Sequence, residues 1–154
     1  ANEDVDAMFI DGISMMNGMS CPNSTYVVNK TYDFYIINLT PDTHPIHFHL
    51  INVQKIKQFP ISIDKYTDHY FEKNGGMPSK HGFSRAPISV DPENLELETI
   101  NILKSSKKFS ETVDAHPDYV TVLRVKFARN DGSLFKSFDM KGQRYVWHCH
   151  MLEH

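Results

Sequence analysis

The stretch Arg144-Tyr145-Val146-Trp147-His148-Cys149-His150-Met151-Leu152-Glu153-His154 reads as a β-strand that runs into a cluster of metal-ligand side chains. Tyr145, Val146 and Trp147 are aromatic or β-branched, the residue types that fit a pleated surface. Side chains alternate between the two faces of a strand, so His148 and His150 share one face and Cys149 points oppositely. A second stretch, His44-Pro45-Ile46-His47-Phe48-His49, repeats the device with His47 and His49 on one face and Phe48 turned away. Six of the chain's nine histidines fall in these two clusters.

If the two strands are neighbours, His47, His49, His148 and His150 converge as four imidazoles on one side. Cys149 then faces a different pocket, which His44 and His154 reach from the loops beside each strand. Two metal sites follow, one rich in nitrogen and the other with two nitrogens and a thiolate. A His₂Cys set is the expected ligand set of a blue-type copper, because the soft thiolate suits copper and tunes its potential. A zinc site is the bland alternative, but tetrahedral zinc needs four ligands and the two faces offer more. Cys149, with a histidine on either side, would also join the two sites covalently.

The rest of the chain reads as β structure. Strands are expected at residues 8–10, 26–28, 32–38, 47–53, 120–127 and 144–150, with another suggested by Leu95, Leu97, Ile100 and Ile102. Residues 55–108 are less regular. Within them 63–72 fits a short helix closed by Asn74-Gly75-Gly76. Several strands, many turn signals and little helix point to an all-β sandwich or barrel.

At 154 residues the chain fits one domain with a real core. Its 40% apolar and 23% charged residues are ordinary for a globular protein. The net charge of −3 gives no reason to expect nucleic acid or an anionic membrane as partner. No apolar run approaches the roughly 20 residues of a membrane-spanning helix, and no signal peptide is visible. Two cysteines are too few for a disulfide framework, and Cys21 stays open between a free thiol and a bond to sequence elsewhere.

The two motifs resemble the C-terminal copper-binding segments of multicopper oxidases, the family of laccases, bilirubin oxidases and ferroxidases. Thr43 to Leu50 and Tyr145 to His154 carry the likeness most tightly, and its wording is nearest the spore-coat laccase and bilirubin oxidase branch. Leu50 stands where plant and fungal laccases commonly have glycine. Phe109-Ser110-Glu111-Thr112-Val113 and the strand at 120–127 match the run into the second motif. The resemblance implies a cupredoxin fold, a Greek-key β-barrel or sandwich, here with a long, partly helical insertion loop. It implies that the whole chain, 1–154, is a C-terminal plastocyanin-like domain cut off at its C-terminus.

Carried over by position, His44, Cys149 and His154 would bind the type 1 copper. His47 would bind the type 2 copper, and His49, His148 and His150 the type 3 pair of a trinuclear cluster. That cluster would be completed outside this chain, by an N-terminal cupredoxin domain of the same protein or by an oligomer partner. The axial type 1 position and the branch's proton-delivering acid would fall beyond His154, and Glu153 has no assigned role. The implied reaction is one-electron oxidation of a small reducing substrate, phenol-like, coupled to reduction of O₂ to water. The alternative is a stand-alone cupredoxin for copper binding or electron transfer, which does not explain the four non-type 1 histidines.

Other features carry less. His69, His81 and His116 lack ligand-like spacing, and Glu111 and Asp114 read as solvated surface acids that could sit near the site. Met15, Met16 and Met19 fit flexible apolar packing better than copper delivery. Asn23-Ser24-Thr25, Asn29-Lys30-Thr31 and Asn38-Leu39-Thr40 are glycosylation sequons, which imply a secreted glycoprotein if used. Asn38 is the least expected of the three to be modified.

Overall fold

A computed structural model describes residues 9–10, 13–14, 26–77, 82–84, 86–95, 108–129, 131–133 and 147–150. The chain divides into two compact units, Tyr26–Ile61 with Leu97–His154, and Ala1–Thr25 with Ser62–Glu96.

The first unit is an all-β sandwich of the cupredoxin-like kind. Its strands are β3 (Thr31–Ile37), β4 (His44–Phe48), β5 (Val53–Pro60), β6 (Phe109–Ser110), β7 (Thr112–Ala115), β8 (Tyr119–Lys126) and β9 (Trp147–Cys149). They form a four-stranded sheet in the order β3-β8-β5-β6 and a three-stranded sheet in the order β7-β4-β9, with every pairing antiparallel. The facing sides of the two sheets contribute to a single core. Ile46 and Phe48 of β4, Val113 and Ala115 of β7, and Leu123 and Val125 of β8 are buried together with Ile51, Val53 and Phe127. Alternation is clearest in β3, where Tyr32, Phe34 and Ile36 pack on that core while Thr31, Asp33 and Tyr35 are exposed.

The second unit holds the hairpin β1 (Phe9–Ile10) and β2 (Ile13–Ser14) and the helix α1 (Ile63–Asn74). The Ser62 side chain accepts from Lys65 N at the helix start. Gly75 closes the end with φ 81°, and Gly76 N donates to Phe71 O at 2.8 Å, a Schellman-type stop that needs glycine's freedom at positive φ.

The strands differ from those expected of the sequence in several places. Residues 26–28 are not a strand: Asn29 has φ 66°, Lys30 N donates to Val27 O at 3.2 Å, and the Tyr26 ring stacks on Phe127 at 5.1 Å. β4 starts at His44, three residues earlier than expected, and ends at Phe48. Pro45 has no N–H to give, yet its carbonyl accepts from His150 N at 2.8 Å, so it joins the ladder through its acceptor alone. A tight turn follows, with Leu50 at φ 62° and Ile51 N donating to His49 O at 2.8 Å. β5 then runs on through a region whose sequence looks irregular, because a bulge between Lys55 and Lys57 breaks the two-residue period. The suggested strand at 95–102 lies mostly outside the described residues, and Leu95 itself ends a 3₁₀ turn at Pro92–Leu95.

Candidate metal centre

β4 is the middle strand of its sheet, and β9 lies beside it with Ile46 opposite Cys149, His47 opposite His148 and Phe48 opposite Trp147. This register decides which side chains share a face. Even-numbered residues of β4 and odd-numbered residues of β9 look into the sandwich, so Cys149 and Trp147 pack on the core. His47 and His148 look outward, away from the core. The apolar side chains therefore set the register that brings the two motifs together.

On the outward face four imidazoles stand edge against edge. The His47 ring lies 5.0, 5.6 and 5.1 Å from those of His49, His148 and His150. His148 lies 5.1 Å from His49 and 4.6 Å from His150. His49 and His150 are exposed, and His47 and His148 are half-buried. His49 belongs to the turn after β4, so its place in the cluster comes from that turn as well as from strand alternation.

Hydrogen bonds fix several of the rings. His148 Nδ1 lies 3.2 Å from the Cys149 carbonyl, which can only accept, so Nδ1 carries the proton and Nε2 keeps a lone pair. His49 Nε2 faces that lone pair at 3.0 Å. His47 Nδ1 is held by Thr112 Oγ1 on β7 at 3.0 Å, leaving Nε2 as the ring's other ligand atom. Orientation of one ring nitrogen by a carbonyl or hydroxyl is the usual support for a metal-binding histidine.

On the inward face, His44 Nδ1 lies 3.4 Å from Cys149 Sγ. With metal–sulfur and metal–nitrogen bonds of about 2.3 and 2.0 Å, two donors at such a separation can share one ion. His44 reaches Cys149 from within β4, because residue 44 has the same parity as Ile46 and Phe48; it does not come from a loop. His154, the third expected donor here, lies outside the described residues. Among the described residues no three His, Cys, Asp or Glu side chains close on one metal-sized point. The donors instead stand as a half-assembled pair on one face and four adjoining imidazoles on the other.

The remaining candidates separate from this centre. His69 is exposed on α1, in the other unit, and His116 is exposed between β7 and β8. Glu111 and Asp114 are exposed, and Glu111 contributes its backbone carbonyl, which accepts from Phe48 N at 2.9 Å. His81, Cys21 and the three methionines fall outside the described residues. Three residues that support the centre were not singled out as such in the sequence. Thr112 is visible only through strand register. Asn38 and Thr40 read as a sequon, although Thr40 Oγ1 lies 2.7 Å from His44 Nε2.

The all-β sandwich, of the cupredoxin-like kind, thus carries imidazoles on one face of the β4–β9 pair and a His–Cys pair on the other. Comparison with known proteins points the same way. The chain is 26% identical over 153 residues to Multicopper oxidase LPR1 homolog 3 of Oryza sativa subsp. japonica, covering 96% of this chain and 26% of that protein. It is 28% identical over 127 residues to Laccase of Bacillus subtilis (strain 168), covering 82% and 18%. With Multicopper oxidase LPR1 homolog 1 of Oryza sativa subsp. japonica it shares 31% over 120 residues, covering 77% and 19%. No family model matches the chain. These likenesses support the multicopper oxidase family and imply copper binding. The chain spans about a quarter or less of the length of these curated relatives.

Proposed function

We propose that this chain is the C-terminal cupredoxin domain of a laccase-like multicopper oxidase, nearest the spore-coat laccase and bilirubin oxidase branch. The observation that carries this reading is the division of one strand pair into two donor faces. His44 and Cys149 look inward at 3.4 Å, and His47, His49, His148 and His150 cluster outward. On this reading His44, Cys149 and His154 hold a type 1 copper. His47 serves a type 2 copper, and His49, His148 and His150 a type 3 pair. When bound, copper supplies the one-electron steps that couple oxidation of a small, phenol-like donor to reduction of O₂ to water.

The chain's own residues have defined tasks in this scheme. Cys149 belongs to the apolar face, half-buried beside Ile46, and the apolar surroundings of a metal-bound thiolate tune its metal. Its peptide bonds to His148 and His150 make the shortest covalent link between the two faces. The Cys149 carbonyl accepts the Nδ1–H of His148, which keeps Nε2 for a ligand, and Thr112 holds the His47 ring through Nδ1. The outward cluster is exposed, so the oxygen site needs further histidines from an N-terminal cupredoxin domain of the same protein or from an oligomer partner. A stand-alone cupredoxin would leave these four adjoining imidazoles unused, which favours the oxidase reading.

The test is copper loading of the intact protein and of two variants. Cys149→Ser should lose the intense thiolate-to-copper absorption and O₂ uptake with a phenol. His150→Ala should keep that absorption and lose O₂ uptake. Retained blue colour in Cys149→Ser would refute the type 1 assignment, and full O₂ uptake in His150→Ala would refute the outward cluster as the oxygen site.

A further inference from the structure

We propose that Asn38 and Thr40 are positioning residues that lock His44 in the tautomer protonated on Nε2, so that its Nδ1 lone pair faces Cys149 Sγ. A short chain of hydrogen bonds fixes where each proton lies. Asn38, only 5% exposed, places its Nδ2 atom 2.7 Å from Asp42 O and 2.9 Å from Ala115 O. Both partners can only accept, so this end of the side chain must be the amide NH₂. Its Oδ1 therefore faces the other way, where it accepts from Thr40 N at 3.0 Å and from the Thr40 hydroxyl at 2.8 Å. A flipped amide would set NH₂ against the Thr40 N–H and Oδ1 against two carbonyls, so the orientation is fixed.

A hydroxyl has one proton. Thr40 gives it to Asn38 Oδ1, and its other oxygen neighbour among the described residues, Asp42 O at 3.4 Å, is again a pure acceptor. Thr40 Oγ1 must then accept from His44 Nε2, 2.7 Å away. With the proton on Nε2, the neutral ring has its lone pair on Nδ1, 3.4 Å from the sulfur. The anchor of the relay is rigid, because Asn38 N donates to Tyr119 O and Asp118 N donates to Asn38 O, both at 3.1 Å. The β7–β8 turn thus holds Asn38, Asn38 holds Thr40, and Thr40 sets which nitrogen of His44 is available.

The tautomer claim stands on these contacts alone, and its consequence for copper rests on the type 1 reading above. The experiment is ¹⁵N–¹H correlation NMR of the His44 ring in copper-free protein, for the unaltered chain, Thr40→Val, Thr40→Ala and Thr40→Ser. The unaltered chain and Thr40→Ser should show a protonated Nε2 and a bare Nδ1, and Thr40→Val and Thr40→Ala a mixture of tautomers. Copper affinity should fall by about tenfold or more in Thr40→Val and recover in Thr40→Ser, the usual range for losing a ring-orienting partner. A protonated Nδ1 in the unaltered chain, or an unchanged tautomer in both Thr40→Val and Thr40→Ala, would overturn the proposal. Absence of a thiolate-to-copper band in the loaded, unaltered protein would instead defeat the type 1 reading and leave the tautomer result to decide the relay.

Discussion

Replacing Phe48 by alanine tests whether the apolar core holds the two histidine motifs in register. Phe48 lies between His47 and His49 and is 1% exposed. Its ring stacks on Trp147 of β9 at 6.0 Å and tilts against Phe34 of β3 at 6.1 Å. Both neighbours are anchored in strands of different sheets, so neither can follow the lost ring inward and most of the cavity stays open. Phe→Ala changes of this kind cost about 3–5 kcal/mol, and the poor capacity for collapse puts this one at about 4. That is a large part of the roughly 5–15 kcal/mol that separates folded from unfolded domains. Trp147 is the chain's one tryptophan, so its fluorescence reports this contact without interference. With a urea dependence of about 2 kcal/mol per molar, the copper-free Phe48→Ala midpoint should fall by about 2 M at unchanged slope. A fall of less than about 0.5 M at unchanged slope would show that the packing argument is wrong and that register is set elsewhere.

Further outcomes follow from single residues. Leu50 is 64% exposed with φ 62°, so Leu50→Gly removes left-handed strain of about 1 kcal/mol and loses little packing. Glycine's greater unfolded-state freedom offsets part of that gain, and the urea midpoint should rise slightly; a clear fall would refute the strain. Expressed through a eukaryotic secretory route, the folded protein should carry glycan on exposed Asn29 and none on Asn38, whose amide is committed to two carbonyls. Peptide mass spectrometry that finds Asn38 occupied in folded protein would contradict that assignment. Burial, and secondarily the neighbouring Tyr70, raises the Tyr66 pKa above the ordinary 10.0, so the native state holds this proton more tightly than the unfolded chain. Stability from this source is complete below pH 10 and is lost as pH rises through the folded value, and Tyr66→Phe should flatten that alkaline decline in a melting series.

The architecture was legible wherever the two-residue period ran unbroken. Residues 31–37 and 119–126 alternate or stay apolar throughout, and both are strands. The helix was legible from its closing Asn74-Gly75-Gly76, and Gly75 does take the left-handed conformation. Legibility failed where a tertiary partner overrode a local signal. The strand expected at 47–53 begins at His44 instead, where the Pro45 carbonyl finds His150 N. The bulge after Lys55 shifted Phe59 to the face that carries Val120, so β5 never displayed a clean pattern. In the centre itself, the facing of His148 against Cys149 followed from alternation alone. The partners Thr112 and Thr40 could not be found that way, because one is set by register and the other by a turn that folds back on Asn38.

Register also explains how one pair of strands can maintain two unlike environments. His47 faces His148 directly, and Ile46 faces Cys149. A slip of one residue would set His47 against Cys149 and turn either the histidines or the thiol to the wrong side. It would also drive out of the core either Ile46 and Phe48, which are 6% and 1% exposed, or Trp147 with the thiol. Burying such side chains is worth about 1.5–3 kcal/mol each, so the apolar residues alone disfavour the slip heavily. The sorting of the sulfur to the core side of the sheet and of the imidazoles to its outer side therefore follows the placement of Ile46, Phe48 and Trp147. Side chains placed by apolar packing keep their faces with or without a metal, which is why Phe48→Ala should loosen the pairing even in copper-free protein.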